Sequence, residues 1–233
     1  ATVWAVQMLW IPITAAGVIN GIGHFWGYRN YDCEDASTNI VPWGILIGGE
    51  ELHNNHHTYA TSAKLSNKWY EFDIGWMYIC VLSYLGMAKV KKVPPKPVLS
   101  AVRPADDQTL EAVIANRYEI MARYSKTLQR CIANEFQNMQ EFANHLKDAR
   151  DWLYKDEVKL TSDEKQKLEE LMKTNPQLRK MIEMRRELHA IWGRSNATRE
   201  QLLGQLRSWC HRAEEAGPNS LKEFSLRLRR YSN

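Results

Sequence analysis

The first twenty residues, Ala1 to Asn20, contain no charged side chain at all. A charged n-region followed by a small-residue cleavage site is also missing there, which excludes a secretory signal peptide on the expected pattern. The four cysteines (Cys33, Cys80, Cys131 and Cys210) are scattered and form no C-x-x-C pair. That excludes a disulfide framework and points to a reducing, cytosolic side. No fixed-period repeat and no low-complexity tract is present. After Pro104 both glycine and proline become sparse, and the chain turns rich in Arg, Lys, Glu and Gln. The formal net charge of +4, its excess mainly in the second half, is too mild to argue for nucleic acid.

What is present divides the chain. Residues 1 to about 21 form an apolar run long enough to cross a hydrocarbon core of ~30 Å. Pro12 would kink it, which membrane helices tolerate, and Trp4, Trp10 and Trp26 suit interfacial anchors. A chain that starts inside such a helix is expected to be a piece of a longer protein. Residues 22–49 carry Gly23, Gly27, Asn30, Asp32, Pro42, Gly44, Gly48 and Gly49 and read as loop. A helix is predicted from Glu50 to about Tyr59. The apolar stretch Ile74 to Ala88, followed by Lys89, Lys91 and Lys92, reads as an interface helix. The expected fold class is all-α, in three parts: 1–93 with a membrane span and the histidine-rich region, a Pro-rich linker 94–107, and a soluble helical tail 108–233. Within the tail, apolar spacing of three and four predicts helix from Gln108 to Leu153. New helices are expected after Thr161-Ser162, near Asn175-Pro176, around Ser195 to Glu200, and after Gly217-Pro218.

The residues that carry chemistry lie in His53-Asn54-Asn55-His56-His57. On a helix, positions i, i+3 and i+4 share one face, so three imidazoles converge. Neutral imidazoles gathered that way suit iron or zinc. Asn20 and His24, four apart, would share a face if the first helix runs one turn further, at the point where it leaves the bilayer. Glu50 and Glu51 sit one turn before His53, either as carboxylates that orient the ligand imidazoles or as an N-terminal charge pair. Asp32 and Asp73 are weaker candidates of the first kind. His145, His189 and His211 stand singly on charged helices and read as ordinary surface or partly buried histidines.

The run Asn20-Gly21-Ile22-Gly23-His24, then Gly27-Tyr28-Arg29-Asn30-Tyr31-Asp32, then Gly49-Glu50-Glu51-Leu52-His53-Asn54-Asn55-His56-His57, resembles the stearoyl-CoA type of membrane acyl-CoA desaturases. Trp69-Tyr70-Glu71-Phe72-Asp73-Ile74-Gly75-Trp76 also looks like the segment that follows the last histidine box. The resemblance covers roughly the first hundred residues, in order and at matching spacing. Asn30 replaces the family's usual proline.

This resemblance implies two irons held by nine histidines, with O2 as co-substrate. Four of those ligand positions are His24, His53, His56 and His57, and Asn20 matches the residue that reaches an iron through a water. The other five belong to two boxes, H-x-x-x-x-H and H-x-x-H-H, that precede this region, so the chain is expected to supply part of the site and to be inactive alone. The implied reaction removes two hydrogens from adjacent methylenes of a long acyl chain, with acyl-CoA the favoured form. The implied setting is an integral membrane protein with its histidine box and tail on the cytoplasmic side. Implied partners are membrane lipid and a ferredoxin, rubredoxin-like or cytochrome electron donor; nucleic acid is not expected.

Two rivals stand beside that reading: a histidine-box membrane hydroxylase, and a non-catalytic membrane-anchored binding protein with an incomplete metal site. The closing stretch, from Leu188-His189-Ala190-Ile191-Trp192 through Trp209-Cys210-His211-Arg212 to Leu226-Arg227-Leu228-Arg229-Arg230-Tyr231, faintly resembles the C-terminal helices of some insertion-element transposases. The tail is read as an interaction module for a redox partner or self-association.

Overall fold

In the computed structural model, which describes residues 2–136, 160–193 and 196–232, the chain divides into two compact units, Ala1–Pro95 and Lys96–Asn233. Helix dominates the described residues, and the strands among them are two residues long. The unit boundary falls between Pro95 and Lys96, inside the Pro-rich stretch.

Unit 1 opens with helix α1 (Thr2–Ile11), which continues without a break into a π-helical segment, Pro12–Ile22. Proline has no N–H to give and crowds the carbonyl four residues back, so the α ladder cannot pass Pro12 unchanged. The widened helix is the response, and the Thr14 hydroxyl donates to the Trp10 carbonyl at 2.8 Å. Together the 21 residues Thr2–Ile22 are long and apolar enough to cross a membrane. Almost none of this helix is buried within the unit, and neither is any residue of helix α3 (Ile74–Tyr84). Trp4, Leu9, Trp10, Tyr78 and Leu82 all face outward.

Strand β1 (Trp43–Gly44) pairs in parallel with β2 (Phe72–Asp73), and the short helix α2 (His53–Thr58) lies between them in sequence. The interior here is mostly polar. Asn39, Asn54, Asn55, Glu51, Asp73, Ser37 and Thr38 are buried beside only a few apolar residues such as Leu52 and Leu65. Buried amides and carboxylates need partners, and these residues find them in one another and in loop backbone. This unit is therefore held by a hydrogen-bond network, with its apolar groups outside.

The helix predicted from Glu50 starts at His53 instead. Glu50 and Glu51 lie in the preceding turn, and the Leu52 amide closes that turn onto the Gly49 carbonyl at 2.9 Å.

Unit 2 has the opposite character, an apolar core inside charged helices. Its elements are β3 (Val98–Leu99), α4 (Asp107–Ala115), α5 (Arg117–Phe136), α6 (Ser162–Thr174), α7 (Pro176–Gly193), α8 (Arg199–Ala216), α9 (Asn219–Leu228) and β4 (Tyr231–Ser232). The expected single helix from Gln108 breaks at Asn116, whose side chain donates back to the Ala112 carbonyl at 2.8 Å; its continuation beyond 136 lies outside the described residues. Helix starts fall where capping chemistry puts them. Thr161 and Glu164 form a reciprocal capping box, as do Thr198 and Gln201. Pro176 opens α7 at the position where a missing N–H costs nothing. One core gathers Leu110, Val113, Tyr124, Leu188, Trp209, Leu221 and Phe224, and a smaller one gathers Leu128, Leu168, Leu178 and Ile182. Strands β3 and β4 pair antiparallel, joining the start of the unit to its last described residues.

Candidate metal centre

Helix α2 is only six residues long, yet it fixes the site. Its sequence alternates faces: the imidazoles of His53 and His57 turn one way while Asn54 and Asn55 turn into the loops. Asn54 accepts from the backbone amides of Asn30 and Tyr31 at 2.9 and 3.0 Å and donates to the Tyr31 carbonyl at 3.0 Å. Asn55 donates to the Leu65 carbonyl at 2.9 Å and to Glu71 at 2.8 Å, and accepts from Asn30 at 2.8 Å. The two asparagines between the histidines thus anchor the helix.

His24 arrives from the other side, on the turn that ends the first helix. Thr38 clamps that turn: its amide donates to the Gly23 carbonyl at 2.7 Å and its hydroxyl to the Trp26 carbonyl at 2.8 Å. Gly23 must be glycine here. A Cβ would stand 2.2 Å from the Ile19 carbonyl oxygen and 3.3 Å from the His53 ring.

The result is a convergence of His24, His53 and His57, whose candidate ligand atoms all lie within 4.8 Å of one another. His24 Nε2 and His53 Nε2 are 3.0 Å apart. The His53 and His57 ring centroids are 4.3 Å apart, and those of His24 and His57 5.2 Å. Two imidazole nitrogens bound to one ion at about 2.1 Å stand about 3 Å apart when they meet at a right angle. The donor set therefore fits a divalent metal. His53 Nδ1 is buried without a hydrogen-bond partner, an orphan that a cluster of neutral imidazoles leaves behind. Burial, then the neighbouring His57, His24 and His56, pushes the His53 pKa down to about 4, so this ring stays neutral and able to ligate at ordinary pH.

His56 stands just outside the trio. Its ring stacks on that of His53 with centroids 6.1 Å apart, and its Nδ1 lies 4.0 Å from Glu50. Asn20 is exposed on the π-helical segment. Its side chain donates to the Ala15 carbonyl at 3.0 Å, five residues back, because the helix is π-helical where an α-helix was expected. Glu51 does not face an imidazole either. It is buried and accepts from the amides of Leu46 at 2.6 Å, Ile47 at 2.9 Å and Gly49 at 3.3 Å. Asp73 caps α3 through the Trp76 amide and holds the Leu65 amide, and Asp32 pairs with Arg29. The carboxylate that does meet a ligand imidazole is Asp35, bonded to His57 Nδ1. Burial works against its charge, but donors from Ser37, His57 and Cys33 outweigh that and hold it well below the usual carboxylate range. No spacing in the sequence singles Asp35 out, since it lies 22 residues before its partner. His189 packs against Trp192 and His211 pairs with Glu215, both in unit 2; His145 lies outside the described residues.

The neutral state of His53 has a consequence for stability. In an unfolded chain this ring takes up a proton near 6.5, whereas in the folded metal-free chain it waits until about 4. The unfolded state binds more protons over that interval, so the stability of unit 1 falls as pH drops from about 6.5 toward 4. Hydrogen exchange of peptides spanning 50–60 in the metal-free protein should accelerate over this window, and H53N should flatten the dependence. An unchanged slope in H53N would assign the effect elsewhere.

Comparison with known proteins finds two different likenesses in the chain. An sn-2 palmitoyl-lipid 9-desaturase of Nostoc sp. is 43% identical over 79 residues, which is 34% of this chain and 28% of that protein. An sn-1 stearoyl-lipid 9-desaturase of Anabaena variabilis is 37% identical over 94 residues, 40% of this chain and 32% of the relative. An acyl-CoA 5-desaturase of Anemone leveillei is 37% identical over 93 residues, covering 40% and 27%. The chain thus spans about a third or less of the length of these curated relatives. No solved structure matches. Residues 105–233, more than half of the chain, match the family model described as transposase, of the ISL3 DDE type. The chain carries a segment similar to fatty acid desaturases, and through residues 105–233 it belongs to the ISL3-type transposase family.

Proposed function

We propose that residues 1–95 form one part of a membrane-embedded, iron-dependent fatty acyl desaturase. The observation that carries this reading is the convergence of His24, His53 and His57 within 4.8 Å, in a chain whose curated relatives are desaturases. His24, His53, His56 and His57 would hold iron, with the remaining ligands coming from the part of the relatives that this chain does not span. Iron held there would supply the oxidising power by which O2, two electrons and two protons turn a –CH2–CH2– unit into –CH=CH– and two waters.

The chain's own residues have narrower tasks. Asn54 and Asn55 fix the helix that presents the imidazoles, and Thr38 with Gly23 fixes the approach of His24. The outward apolar faces of α1, its π-helical continuation and α3 suit contact with lipid and an acyl chain. Lys89, Lys91 and Lys92, just beyond α3, favour an anionic cytoplasmic surface. The relatives' names include both lipid-linked and CoA-linked substrates, and acyl-CoA is the form we favour. We assign the tail to docking of an electron donor or of another copy.

The test pairs metal analysis of the detergent-purified protein with product analysis in a desaturase-deficient host that expresses the reading frame containing this chain. Iron together with a new double bond supports the proposal. A hydroxylated product would favour the hydroxylase reading, and neither iron nor product would favour a binding protein.

The transposase match favours a second reading for residues 105–233, that of a helical DNA-contacting module. It predicts DNA retention that weakens steeply with salt; salt-independent or absent retention removes it.

A further inference from the structure

Asp35 belongs to none of the histidine motifs, yet it is built into the site from several sides. Its Oδ2 meets His57 Nδ1, while its Oδ1 accepts from the Ser37 amide at 2.9 Å and from the Cys33 thiol at 3.3 Å. Arg29 donates to its backbone carbonyl at 2.9 Å. Cys33 in turn receives Asn54 Nδ2 at 3.3 Å, which ties the loop to the helix that carries His57. A carboxylate so held has little freedom to turn away from the ring.

We propose that Asp35 is the positioning residue of this metal site: it selects the His57 tautomer protonated at Nδ1, fixes the ring angle, and leaves Nε2 as the ligating nitrogen. The physical ground is general. A carboxylate that accepts from the far nitrogen of a ligand imidazole sets its orientation and raises its basicity, and loss of such a partner weakens metal binding by about 10–100-fold. The inference rests on the reading of His24, His53 and His57 as metal ligands.

The experiment is a cobalt(II) titration of the full chain in detergent, followed by its visible absorption, with thermal melting of the metal-free protein measured alongside. D35N keeps the turn, because asparagine accepts from the Ser37 amide as aspartate does, but it removes the anionic acceptor. D35N should bind cobalt about 10–100-fold more weakly while melting with the unsubstituted chain. E34Q removes the exposed carboxylate next to Asp35 in the same loop and should bind within about twofold of the unsubstituted chain. Equal affinity in D35N, an equal loss in E34Q, or a melting loss in D35N that parallels its affinity loss would each overturn the assignment. Failure of the unsubstituted chain to bind cobalt would remove the metal-site reading itself, and this inference with it.

Discussion

Replacing Glu71 with glutamine should loosen the histidine platform almost as far as replacing it with alanine. Its carboxylate is ringed by donors. Oε1 accepts from the Tyr28 hydroxyl at 2.8 Å and from Asn30 Nδ2 at 2.5 Å. Oε2 accepts from Asn55 Nδ2 at 2.8 Å and from the amides of Asn67 and Lys68 at 2.7 and 2.9 Å. Burial and this bond to Glu71 also push the Tyr28 pKa upward, which keeps its hydroxyl protonated and donating. A glutamine has one oxygen, so whichever way it lies its NH2 faces donors. Each amide left without an acceptor costs about 1–3 kcal/mol, less where water reaches it. A loss of about 3 kcal/mol in either variant is expected. Hydrogen exchange of peptides covering 28–31, 53–58 and 65–73 should rise together, and cobalt binding should fall with it. If E71Q stays protected while E71A does not, the side chain's bulk matters and its charge does not.

That network explains which parts of the site were legible in the sequence. Spacing of three and four put His53, His56 and His57 on one face, of which His53 and His57 join the trio, and boundary signals placed helix starts after Thr161-Ser162, near Asn175-Pro176 and within 195–200, because these are local properties of a helix. The apolar, charge-free length of residues 1–21 likewise pointed to the 21-residue helix Thr2–Ile22. The partners of the histidines were not local. Asp35 meets His57 only because Asn54 pulls the loop 30–33 onto α2, and Glu71 serves Asn55 and Tyr28 across 16 and 43 residues. Glu51 looked like an imidazole partner from its place one turn before His53; the chain begins the helix only at His53, and the freed turn amides claim its carboxylate. Asn20 turns back to the Ala15 carbonyl five residues before it, within the π-helical segment that begins at Pro12, a register that i, i+4 spacing to His24 did not anticipate.

The other large effect belongs to unit 2 and follows from ordinary apolar packing. Trp209 on α8 is buried, donates from Nε1 to the Met184 carbonyl of α7 at 2.7 Å, and packs edge-on against Phe224 of α9 with centroids 6.0 Å apart. Tyr124 of α5 completes the group: its hydroxyl donates to the Met181 carbonyl at 2.6 Å, and its ring meets Phe224 at 5.1 Å. Three rings therefore join four helices that are otherwise surfaced with charge. W209A opens a cavity and loses the hydrogen bond to Met184, which together cost about 3–5 kcal/mol. W209F keeps most of the ring volume and loses only the hydrogen bond, so its cost should be nearer 1–2 kcal/mol, roughly the worth of one buried bond. For a unit of this size the alanine variant should melt roughly 10–20 °C lower, and the phenylalanine variant only a few degrees lower. Because the metal cluster lies in the other unit, cobalt affinity should stay unchanged in both variants while the tail is folded. Equal melting losses for W209A and W209F would mean that the Met184 bond, and not the packing of the rings, holds α7 to α8.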